Sequence, residues 1–97
     1  MSQYKVFIQG RNYLLRIDTE IRRVGFFTTR WIDSSDTENA KIQAIELIQN
    51  ELRDLVLNEE SNPPTLLVER VSVVEASEHS SSAGGGFTWY LEDEKSG

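Results

Sequence analysis

The chain has 97 residues, no cysteine and a net charge of −6. That is enough for one core-bearing domain, and it excludes a disulfide framework, a thiolate metal site and a thiol nucleophile. No apolar run approaches the ~20 residues of a membrane-spanning helix, and the N-terminus has no apolar signal region, so a cytoplasmic protein is expected.

The charge is unevenly distributed. Residues 1–35 hold six cations against three anions, and residues 36–97 hold four cations against thirteen anions. An acidic whole repels nucleic acid at long range, while the basic segment allows a local patch at Arg11, Arg16, Arg22, Arg23 and Arg30.

In chain order, YKVFIQG alternates, with Tyr4, Val6 and Ile8 on one face and Lys5, Phe7 and Gln9 on the other. This is the period of a half-buried strand. Gly10-Arg11 reads as a tight turn, because glycine tolerates positive φ. NYLLRID then alternates, with Tyr13, Leu15 and Ile17 on one side and Leu14, Arg16 and Asp18 on the other, and the two runs are expected to form a hairpin. RRVGFFTTRWI is a third strand that is apolar on both faces. Val24, Phe26, Thr28 and Ile32 share one face with Arg30, and Phe27, Thr29 and Trp31 share the other. Such a strand belongs in the middle of a sheet.

The period changes at DSSDTENAKIQAIELIQNELRDLVLN. Ser35 and Glu38 have capping-box spacing, and Ala40, Ala44, Ile45, Ile48, Leu52, Leu55 and Val56 form one helical stripe. Asn58 is a candidate C-terminal cap, and the prolines of ESNPPT end any helix. TLLVERVSVVEAS is a fourth strand with a bulge expected at Glu69-Arg70, where the alternation blurs. Residues 77–86 form a small-residue loop. FTWYLE is a short fifth strand, with Phe87, Trp89 and Leu91 on one face. Residues 93–97 are an acidic tail expected to fray.

The expected fold is therefore a single α+β domain over residues 1–92, ordered β-β-β-α-β-β. It is a largely antiparallel five-stranded sheet with one amphipathic helix on one face. One helix is too small to cover both faces, so either the sheet curls on itself or a second molecule completes the burial. The candidate interface is Phe7, Leu14, Phe26, Ile42, Leu57 and Val74.

No constellation of residues points to catalysis, a cofactor or a metal. Gly84-Gly85-Gly86 lead into a strand rather than a helix, and no lysine follows before Lys95, so the run lacks the plan of a phosphate loop. His79 is the only histidine and sits among serines. The carboxylates are adjacent in loops and tails rather than set in a cleft. Arg16, Arg22, Arg23 and Arg30 with Phe27, Trp31, Trp89 and Tyr90 have the composition of a stacking platform for single-stranded nucleic acid. They lack the two-helix βαββαβ frame common in sheet-face RNA recognition.

GFFTTRWIDSSDTENAKIQAIELIQNEL resembles uncharacterised small bacterial α+β families, in which an aromatic- and threonine-rich strand runs into a capped helix. The likeness covers about residues 20–56 and implies no chemistry. The chain also looks loosely like HicB-type antitoxins, which place a strand meander before a capped helix. It lacks their proline-flanked turn and C-terminal DNA-binding segment, and no site residue is carried over. The functional expectation is a non-catalytic interaction module that associates with itself, as a homodimer, through a sheet face or edge. The alternatives are an antitoxin-like or inhibitor-like binder of a basic protein, and a single-stranded nucleic-acid binder.

Overall fold

The computed structural model describes residues 2–74 and 86–92. The expected loop, apart from Gly86, and the acidic tail lie outside them, as do His79, Gly84 and Gly85. The fold is α+β. One helix, α1 (Thr37–Leu52), packs on an antiparallel sheet of four strands: β1 (Ser2–Ile17), β2 (Glu20–Ser34), β3 (Thr65–Val73) and β4 (Thr88–Leu91). The strand order is β3-β1-β2-β4, which leaves β1 and β2 central, as the two-faced apolar pattern of β2 requires.

The first two expected strands are one. β1 runs unbroken through Gly10-Arg11, so the sheet has four strands and not five, and the element order is β-β-α-β-β. In place of the turn expected at Gly10-Arg11 there is a β-bulge. Between Gly10↔Phe26 and Tyr13↔Val24, Arg11 and Asn12 on β1 stand opposite Gly25 alone on β2. The extra residue resets the alternation, so Tyr4, Val6 and Ile8 before the bulge and Tyr13 and Leu15 after it are all buried against the helix. Asn12 takes the positive φ of the bulge, at 61°. Gly10 is fully enclosed, because the Phe26 ring occupies the space a Cβ would need. The true hairpin turn is Asp18-Thr19, with Asp18 at φ 58°.

A web of amides holds the bulge. Asn58 Nδ2 donates to the Asn12 carbonyl (2.7 Å) and the Asn62 carbonyl (2.9 Å), and Asn58 Oδ1 accepts from the Leu14 amide (2.9 Å). Asn58 thus locks β1 and does not cap the helix. The helix ends at Leu52, six residues earlier, which leaves Leu55 exposed and outside the buried stripe. Asn12 Oδ1 accepts from Arg23 Nε (2.8 Å), and the Asn12 amide donates to Glu92 (3.0 Å). One bulge residue therefore ties β2, β4 and the segment after the helix together.

At the other end of α1 the cap is Asp36, one residue beyond the expected Ser35. Its backbone is extended, and its carboxylate accepts from the Asn39 amide at 2.8 Å. The buried helix residues are Ala40, Ala44, Ile48 and Leu52, a narrow i, i+4 stripe that lets the helix lie close to the sheet. Opposite them lie Val6, Ile8, Val24 and Phe26. The Phe26 ring is the centre of an aromatic group, 5.2 Å from Tyr13, 5.0 Å from Phe87 and 5.1 Å from Trp89. The expected bulge in β3 is present: Glu69 is the extra residue between Phe7↔Arg70 and Ile8↔Val68. Among the described residues, no helix is long and apolar enough to cross a membrane.

Candidate binding face

The register assigns the side chains that point away from the helix. Lys5 faces Trp31 and Ser72, Phe7 faces Thr29 and Arg70, Gln9 faces Phe27 and Leu67, and Phe27 faces Thr88. Beyond the bulge, Leu14 lies opposite Arg23 and Arg16 opposite Ile21. Nothing among the described residues covers this face.

Its middle is aromatic. Phe7 and Phe27 stack with ring centroids 5.7 Å apart and planes within 5°, and Tyr90 continues the row 5.6 Å from Phe27. Tyr90 lies over Gly25, where any Cβ would collide with its ring, and Gln9 Nε2 donates to its hydroxyl at 2.8 Å. Gly25 is thus the floor on which the fourth strand seats its tyrosine. Four hollows run along the surface. The widest, about 720 Å³, is lined by Gln9, Arg11, Phe27, Thr88, Tyr90 and Glu92. One of about 240 Å³ gathers Lys5, Phe7, Thr29, Arg70 and Ser72. Between them, one of about 260 Å³ includes Phe27, Thr29, Trp31 and Thr88 in its lining. A smaller one, about 160 Å³, lies between Lys5, Trp31, Ser72 and Val74.

The charge of this face opposes that of the whole chain. It carries Lys5, Arg11, Arg16, Arg23 and Arg70 against Asp33 and Glu92. Acidic side chains gather on the helix side, where Glu38, Glu46, Glu51 and Asp54 are exposed. The described residues span 21 Å in their shortest dimension, against a Debye length of about 8 Å at physiological salt, so each face presents its own charge to a ligand.

Of the residues nominated for an interface, Phe7 and Leu14 lie on this face, and Val74 lines its small terminal hollow. Phe26 does not: it is 0% exposed on the helix side, because its parity with Val24 and Thr28 points it into the core. Ile42 is 53% exposed on the helix, and Leu57 is 43% exposed in the segment that follows it. The six nominated residues therefore do not form one surface. The basic patch divides as well. Arg11, Arg16 and Arg23 share the uncovered face, whereas Arg22 and Arg30 point to the helix side. Of the aromatics grouped with them, Phe27, Trp31 and Tyr90 are on the uncovered face, and Trp89 packs on Phe26 instead.

Arg30 is 4% exposed and structurally engaged. Its guanidinium makes a two-pronged contact with Glu51 (2.6 and 3.1 Å), donates from Nε to Thr28 Oγ1 (3.2 Å), and lies 5.1 Å from the centre of the Phe87 ring. Thr28 in turn donates to the Gly86 carbonyl at 2.8 Å. This cluster fastens the end of the helix and the approach to β4 onto β2.

Lys5 and Arg70 are the site residues that sequence reasoning missed. Lys5 had a clear signal in its alternation with Phe7. The Glu69 bulge hid the face of Arg70. A fifth hollow, about 360 Å³, sits between the end of α1 and β3 and includes Tyr13, Leu52, Arg53 and Leu66 in its lining. Among the described residues, no group of three or more histidine, aspartate or glutamate side chains is placed to hold a metal ion.

No protein-family model, curated protein or solved structure matches this chain.

Proposed function

We propose that this chain is a non-catalytic binding module whose working surface is the uncovered face of the sheet. The observation that carries the reading is the row Phe7–Phe27–Tyr90, backed by Gln9 and flanked by cations, on a face that the lone helix leaves bare. The three rings are half-buried, and a contiguous apolar row rimmed by polar and charged side chains marks an interaction site.

Self-association is the second reading, and the same aromatic row favours it. The charge weighs against a face-to-face pair. A two-fold axis sets each patch against its own copy, and an excess of positive charge, five cations over Asp33 and Glu92, would then confront the same excess. Edge pairing is poorly supported at β3, which is kinked at Glu69; on the other side β4 pairs only with Val24–Phe27 of β2. An anionic partner that brings its own flat or apolar groups suits the face better than a second copy.

The test is an amide NMR titration of the labelled chain with three soluble polyanions: heparin, polyglutamate and an oligothymidylate. Shifts are expected at Phe7, Phe27, Thr29 and Arg70, and not along the outer side of α1. Shifts confined to the helix, or no response to any of the three at low salt, would sink the reading.

A further inference from the structure

We infer that the ligand of the uncovered face is a single-stranded nucleic acid, with a backbone phosphate in the Lys5–Arg70 hollow and bases on the neighbouring rings. The inference rests on the reading of that face as the working surface.

The hollow has the chemistry of a phosphate seat. Two cations from different strands, Lys5 on β1 and Arg70 on β3, share it with the hydroxyls of Thr29 and Ser72 over the Phe7 ring. An ammonium supplies a compact charge, a guanidinium a planar fork, and the hydroxyls two further donors, so a tetrahedral anion meets donors from three strands. The hollow bordered by Phe27 and Trp31 adjoins it, and the wide trough bounded by Tyr90 and Arg11 follows. Anion seat and aromatic floor therefore follow one another across the sheet, as phosphate and base follow one another along a strand. Every base has a π-face, so such a floor binds single strands with little regard to sequence.

An acidic peptide is the nearest competitor and fits less well. It offers carboxylates but no regular series of flat rings, and extended peptides usually bind by adding a strand at an edge rather than by covering a sheet face. Duplex DNA fits worst, because its bases are already paired and stacked on one another. The acidic helix side lies across the thickness of the layer, beyond the screening length.

The probes are a fluorescent oligothymidylate of about twelve nucleotides, the matching oligouridylate, the corresponding duplex and polyglutamate, read by anisotropy. Both single strands are expected to bind more tightly than the duplex, and whichever of the two binds better identifies DNA or RNA as the source. Neutralising about three phosphates through Lys5, Arg70 and Arg11 gives a log K against log salt slope of about −2. The double substitution K5Q/R70Q should weaken binding about tenfold and flatten the slope to about −0.7, whereas K41Q on the helix should leave both unchanged. In a Trp89→Phe background, the remaining Trp31 should lose fluorescence as a base stacks on it. If K5Q/R70Q proves unstable, K5Q alone should still reduce the slope by about 0.7.

Absence of oligonucleotide binding at about 50 mM salt overturns the inference, as does binding that K5Q/R70Q leaves intact. If polyglutamate shifts the open-face amides while neither single strand does, the working surface stands and the nucleic-acid assignment falls. A sedimenting dimer that shields Trp31 from a soluble quencher also overturns it, in favour of a second copy.

Discussion

Gly10→Ala would place a methyl carbon against Phe26 Cε2 and Cζ, well inside contact distance, and 2.7 Å from Cδ2. The ring has little room to yield, since it is fully buried and wedged among Tyr13, Phe87 and Trp89. Overpacking of this kind costs about 3 kcal/mol at the upper end of the usual range. Restricting the unfolded chain returns about 0.5–1 kcal/mol, leaving a net loss of about 2 kcal/mol. That is a large fraction of the roughly 5–15 kcal/mol that holds a domain of this size folded. In urea, with a slope of about 1.5 kcal/mol/M, the midpoint should fall by about 1.3 M. The coupling is the sharper measurement. Phe26→Leu alone should cost about 2 kcal/mol, but in the double variant the new methyl fills space the ring has left. The pair should cost about 2 kcal/mol together rather than about 4, a coupling of about 2 kcal/mol. If the two losses simply add, or if Gly10→Ala is neutral, Gly10 is not the close-approach site described above. A glycine serving only to turn the chain would show no dependence on Phe26.

Three further perturbations test other parts of the fold. Glu51→Gln should cost about 2 kcal/mol, between the values for exposed and buried pairs, since the Glu51 side chain is 39% exposed and its Arg30 partner 5%; thermal denaturation should show a loss of about 8–16 °C. Asn58→Ala removes the partners of the Leu14 amide and the Asn12 carbonyl, so about 2 kcal/mol should be lost and hydrogen exchange at Leu14 should accelerate more than at Ile48. Burial pushes the Tyr13 hydroxyl up from 10.0 to about 12. The unfolded chain then releases this proton before the folded one, so its contribution to stability is constant below pH 10 and declines between pH 10 and 12. Ultraviolet titration should find a tyrosine ionising at about pH 12, and Tyr13→Phe should remove that step and flatten that part of the stability profile.

The helix and the two-faced character of β2 were legible because each is a long run of one period. Val24, Phe26, Thr28 and Ile32 against Phe27, Thr29 and Trp31 is a pattern that neither a helix nor an edge strand produces. β1 was misread at the place where local pattern carries two meanings. A parity change beside a glycine fits a tight turn and fits a bulge, and the deciding fact, the Phe26 ring lying across Gly10, is a contact between positions sixteen residues apart. The actual turn at Asp18-Thr19 lacks the glycine that usually marks a two-residue hairpin loop. Asn58 was ambiguous for a similar reason: a short amide suits a helix end and a buried bulge equally, and only the return of the chain to Leu14 distinguishes them. The binding face was half readable. Alternation put Phe7 with Lys5 and Phe27 with Trp31, but bringing Arg70 beside Phe7 depends on a bulge and on strand order, which no single segment encodes.

The strand order also dictates how much backbone a growing chain leaves unpaired, and for how long. The central pair emerges first from the ribosome, as one hairpin spanning residues 2–34, while the strands that flank it lie at 65–73 and 88–91. Gln9 waits for a partner 81 positions later, Tyr90. Until those later segments dock, a nascent chain displays two long unsatisfied margins, a template for pairing with a neighbouring copy. Slow translation or truncation before β4 should therefore yield aggregates rather than a smaller folded protein.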